Sequence, residues 1–139
     1  MNSVRASIAV FVVALFLVGL FGIAKSFGAA AGLARSHSGG GVTVKVTYVD
    51  PQAADELRFE VVLDTHSVNL DGYDLKALSQ LRYKAGKTYE PTKIESKGSG
   101  HHREIVLGFP KPSPEAKRLE LVIRDIAGVK ERTFRWDLQ

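Results

Sequence analysis

Two short clusters hold the side chains best suited to chemistry. The first is Asp64-Thr65-His66-Ser67, with Asn69 and Asp71 just beyond it, and the second is Gly98-Ser99-Gly100-His101-His102-Arg103. Imidazole is the commonest protein ligand for transition metals, and a His/Asp set without thiolate suits Cu(II) or Zn(II). The expected ligands are His66 and one of His101 and His102, because neighbouring residues on a strand point to opposite faces. Asp64 or Asp71 would complete the three or four convergent groups that a metal needs. A structural alternative stands beside this one. Asp64–Ser67 can form a turn whose side chains bond the backbone, His66 then being a packing residue and Arg103 pairing with Asp64 across neighbouring strands.

Other chemistry has less to work with. The chain contains no Cys, which removes disulfides, thiolate metal sites and a Cys nucleophile. It holds no G-x-S-x-G elbow, no phosphate-cradling glycine loop and no H-E-x-x-H, so a non-enzymatic role is expected. The formal net charge is +4, yet basic and acidic residues are interleaved in Lys117, Arg118, Glu120, Arg124, Asp125, Lys130, Glu131 and Arg132. That is a mixed solvated surface, not the basic stripe of a nucleic-acid binder, and no nucleic-acid partner is expected.

The elements that must position the clusters follow from hydrophobic period. From Val42 onward apolar side chains alternate, over Val42–Tyr48, Leu57–Leu63, Ile105–Phe109, Leu119–Ile123 and Phe134–Leu138. Two further strands are expected at Leu78–Tyr83 and Tyr89–Glu95, around the turn Lys84-Ala85-Gly86-Lys87. Tyr73–Gln80 can instead form one or two helical turns, since Leu75 and Leu78 sit three apart. Pro110, Pro112 and Pro114 read as a stiff crossing between sheets. About seven short strands with polar turns predict an all-β, immunoglobulin-like two-sheet sandwich over residues 42–139. In that topology the second and fifth strands are antiparallel neighbours, which brings His66 and the His101-His102 pair to one rim.

Ahead of the sandwich, Ala6–Ala24 is charge-free and almost wholly apolar, with Arg5 before it and Lys25 after. Such a run spans a hydrocarbon core of about 30 Å at about 1.5 Å per residue. Residues 1–24 are therefore expected as a signal anchor that keeps the sandwich on the outer side of a membrane. The alternative is a signal peptide cleaved after Ala31 or Ala34, giving a secreted domain. Lys25 to Gly41 is expected as a flexible Gly/Ser-rich tether, with His37 a solvated residue in it.

The stretch Leu57–Trp136 resembles an uncharacterised family of exported bacterial domains of immunoglobulin-like form. The residues that carry the resemblance are L-R-F-E-V-V-L-D-T-H-S (Leu57–Ser67), L-D-G-Y-D-L (Leu70–Leu75), H-H-R (His101–Arg103) and R-L-E-L-V-I-R-D (Arg118–Asp125). The resemblance implies an exported sandwich and transfers no catalytic residue. Small periplasmic copper-handling sandwiches are similar in architecture alone, and the only Met here is Met1, so their Met-rich ligands are missing. The expected function is a membrane-tethered binding module, with a divalent metal at His66, His101, His102, Asp64 and Asp71 as the specific candidate. The alternative is a structural or protein-interaction domain, an accessory subunit serving another envelope protein.

Overall fold

Alternation of apolar and polar residues produces strands wherever one face can be buried, and the chain does this repeatedly. The computed structural model of the protein describes residues 33–49, 55–84 and 87–138. The apolar run Ala6–Ala24 lies outside them, and among the described residues no helix is long and apolar enough to cross a membrane. Among the described residues there are nine strands: β1 Ala34–Gly39, β2 Val42–Val49, β3 Glu56–Thr65, β4 Ser79–Lys84, β5 Lys87–Tyr89, β6 Lys93–Ser99, β7 His102–Pro110, β8 Arg118–Ile126 and β9 Val129–Asp137. One helical turn, α1 Leu75–Leu78, precedes β4, with the Asp74 carboxylate accepting from the amides of Lys76 and Ala77 at its start.

The strands form two antiparallel sheets, ordered β1-β2-β3-β7-β6 and β5-β4-β8-β9. The expected all-β class with two sheets is what the chain adopts, with more strands than the seven read from period. Two differences have clear causes. The segment Ala34–Gly39, expected to be part of a coil tether, pairs with β2 over its whole length. Gly40 and Gly41 have φ of 63° and 77°, the left-handed conformation that a two-residue hairpin turn requires, so the glycines are a turn and not a linker. The single strand expected at Tyr89–Glu95 is two short strands in different sheets, β5 and β6. Pro91 lies at the crossing, where its missing N–H costs no ladder bond.

The core is the inward phase of both sheets. Phe59, Val61, Leu63, Ile105, Leu107, Leu121, Ile123 and Trp136 are all buried, as their position in the alternation demands. Aromatic rings occupy its centre. Phe59 stands 5.1 Å from Tyr48, 5.2 Å from Trp136 and 5.8 Å from Phe109, centroid to centroid.

One side of the sandwich is latched by side chains that cross between the sheets. Arg132, fully buried on β9, donates to Ile126 O at 3.0 Å and to Gly39 O at 2.7 Å. It thereby ties the β8–β9 turn to the β1–β2 turn. Trp136 Nε1 donates to Leu33 O and Arg35 Nε to Arg135 O. A side chain at Gly40 would run into the carbonyl of Ala127, so the two turns pack in direct backbone contact.

Truncating Phe59 or Trp136 to Ala should cost about 3–5 kcal/mol in a urea or guanidinium titration, because each leaves a large void in the centre of the core. Arg132→Met should cost about 2–4 kcal/mol by the same measurement, since two buried carbonyls lose their donors. An unchanged midpoint for either class would refute the packing or the latch.

Candidate functional site

Pairing of β3 with β7 decides where the two clusters meet. Its register sets Leu63 against Arg103 and Asp64 against His102. The backbone continues the contact one residue further, where Thr65 N donates to His101 O at 3.0 Å. The expected approach of the Asp64–Ser67 and His101–Arg103 segments is therefore present, with the fifth expected strand beside the second.

The side chains that converge are not the expected set. His102 points to the outer face, where its Nδ1 lies 2.5 Å from Asp64 Oδ1 and its Nε2 lies 3.2 Å from Glu104 Oε1. Glu104 shares that face because it is two residues along the strand from His102. This H-x-E spacing was present in the sequence as the only clue to it. The two carboxylates raise the His102 pKa above 6.5, Asp64 first through its hydrogen bond and then Glu104. They engage opposite ring nitrogens, so one ion bound to His102 could not take both.

His66 and His101 are exposed in the turns that follow β3 and precede β7. Thr65, not His66, pins the first turn. Its hydroxyl donates to Gly41 O at 2.7 Å and accepts from the amides of Ser67 and Val68. Asp71 is committed elsewhere, accepting from Gly100 N at 2.7 Å, while Leu70 N donates to Gly100 O. Among the described residues no group of three or more His, Asp and Glu is placed to hold a metal ion.

Arg103 does not pair with Asp64. Its register partner is the inward-facing Leu63, so it emerges on the core side of the sheet while Asp64 is on the outer side. There its guanidinium donates to Leu70 O at 2.8 Å, Tyr73 O at 2.9 Å and Ser96 Oγ at 3.1 Å. Arg103 is thus the clasp that fastens the 66–74 loop to the rim of the sheet.

Along the outer face the register stacks residues into rows. One row runs Thr43, Asp64, His102, Ser99; the next Lys45, Val62, Glu104, Lys97; the third Thr47, Glu60, Val106, Glu95. The second and third rows contain a groove of about 270 Å³ lined by Glu60, Val62, Glu95, Lys97, Glu104 and Val106. Its floor is two valines, and its walls hold three carboxylates against one lysine. The valines were passed over in the sequence because they fall in the polar phase of their strands.

No protein family, curated protein or solved structure matches this chain.

His102 should titrate above 6.5 in a proton or nitrogen NMR experiment, and its pKa should fall in Asp64→Asn. Because the pKa is raised on folding, the stabilisation from the charged ring is fully present below about pH 6.5 and is lost as pH rises through the higher folded value. A His102 that titrates alike in both proteins would remove the Asp64 contact from solution.

Proposed function

We propose that this chain is a non-enzymatic binding module of the extracytoplasmic side. Ala6–Ala24 would serve as its membrane anchor, and its recognition surface would be the outer face of the five-stranded sheet. The reading includes the immunoglobulin-like form. Strand order supports that form: β2-β3-β7-β6 corresponds to an A-B-E-D sheet, and β4-β8-β9 to C-F-G, with β1 and β5 as additions.

The observation that carries the reading is the groove on that face. Half-buried Val62 and Val106 form an apolar floor beneath Glu60, Glu95 and Glu104 in a chain of net positive charge. A small apolar floor with convergent charged groups around it is the usual anatomy of a recognition site. Charge of this sign fits a protein segment that presents an apolar side chain flanked by Lys or Arg. The partner class is accordingly another envelope protein with such a segment.

The divalent-metal reading has less support. Of the five residues His66, His101, His102, Asp64 and Asp71, only His102 and Asp64 are hydrogen-bonded to each other through their side chains, and Asp71 holds Gly100 N.

A photo-crosslinking residue at Val62 or Val106, in the full chain in its native membrane, should give one discrete protein adduct. Glu60→Lys/Glu104→Lys should abolish that adduct, and the same probe at Arg135, on the other sheet, should not form it. Equal adducts from all three positions, or none, would overturn the reading. Calorimetric titration of Cu(II) and Zn(II) into the same chain addresses the metal. Heat that disappears in His66→Ala and in His101→Ala/His102→Ala would put the metal site first.

A further inference from the structure

The four outer strands of the two sheets differ in how much backbone they leave unpaired. β1 and β9 face each other across the latch made by Arg35, Arg132 and Trp136. β5 has only three residues. β6 has seven, all of them exposed, and no further strand of the described residues pairs with its outer side. An exposed strand edge of this length is a template for another strand.

The sequence of that edge, Lys93-Ile94-Glu95-Ser96-Lys97-Gly98-Ser99, is complementary to itself when read antiparallel. In the register that overlaps all seven residues, Ser96 faces Ser96 of a second copy across a two-fold axis. Glu95 then faces Lys97 of the second copy, and Lys97 faces its Glu95, which gives two cross-strand pairs of opposite charge. Ile94 faces Gly98 of the second copy. Ile94 is the exposed large apolar side chain of the described residues. A shift of two residues to centre the pair on Glu95 would oppose Glu95 to Glu95 and Lys93 to Lys97. The longest overlap is thus also the one in which the charges agree.

We propose that β6 is a homodimerisation edge, joining two copies of this chain into a continuous ten-stranded antiparallel sheet through an isologous contact centred on Ser96. The proposal does not rest on the groove or on its partner. Strand pairing supplies the backbone bonds, and the Glu95–Lys97 pairs select the register. In this setting Lys93 and Lys97 do not act as the charged residues that keep an edge strand solitary, because Glu95 lies between them to receive one.

The chain has no cysteine, so single cysteines report the register directly. In the full chain in detergent, Ser96→Cys should form an inter-copy disulfide under mild oxidation. Facing Cα atoms of an antiparallel pair lie about 4.5–5.5 Å apart, within disulfide reach. Ile94→Cys and Ser36→Cys should not crosslink. Glu95→Cys and Lys97→Cys should crosslink when mixed and not when separate. In the Ser96→Cys background, Glu95→Lys or Lys97→Glu alone should weaken dimerisation by about tenfold, and Glu95→Lys/Lys97→Glu together should restore it. A chain that sediments as a monomer, a Ser96→Cys variant that crosslinks no better than Ser36→Cys, or a charge swap without rescue would each overturn the proposal.

Discussion

Antiparallel pairing of β3 with β7 is the constraint on which the rest of the molecule depends. These two strands occupy the middle of the five-stranded sheet, and their inward residues Phe59, Val61, Leu63, Ile105, Leu107 and Phe109 supply much of the core. Strand side chains alternate, so slipping β3 by one residue would bury Glu60 and Val62 and expose Phe59. Burial of one phase therefore fixes the register, and the register fixes the outer face. Asp64 opposite His102, Val62 opposite Glu104 and Glu60 opposite Val106 all follow from a choice made by residues on the other side of the sheet.

Charged groups in this chain serve two unequal purposes. Asp64, His102 and Glu104 are more than half exposed, so water and salt screen their contacts and little stability comes from them. Arg132 and Arg103 work differently, donating to backbone carbonyls at the ends of turns and in the 66–74 loop. A guanidinium can satisfy several such acceptors at once because its donors are held in a rigid fork. Both arginines join segments far apart in sequence, and both act where regular strand pairing has stopped.

The same division gives the sandwich two dissimilar sides. At the β1/β9 side, hairpin turns pack backbone to backbone and three long side chains cross between the sheets. At the opposite side β5 is short and β6 stands free. A sheet edge left open in this manner is usually protected by charge or covered by a partner. The groove and the free edge adjoin each other, since Glu95 and Lys97 belong to both.

The sequence by itself determined the all-β class, the strands β2, β3, β7, β8 and β9 and the buried residues of their inward phase. Period two is a local pattern that reports directly on which face is dry. It also placed the Asp64 and His102 segments together, because a topology inferred from strand count made their strands neighbours. It did not determine which side chains would meet there. His66 and His101 lie in turns, where no alternation fixes direction, and only the folded loop committed Asp71 to Gly100 and Arg103 to Leu70 and Tyr73. Likewise Gly40 and Gly41 suit either a linker or a hairpin, and pairing with β2 chose between them. Tertiary structure alone assembled the outer face, since Glu60, Val62, Glu95, Glu104 and Val106 become neighbours only through the register of three strands, and that register is set by the core beneath them.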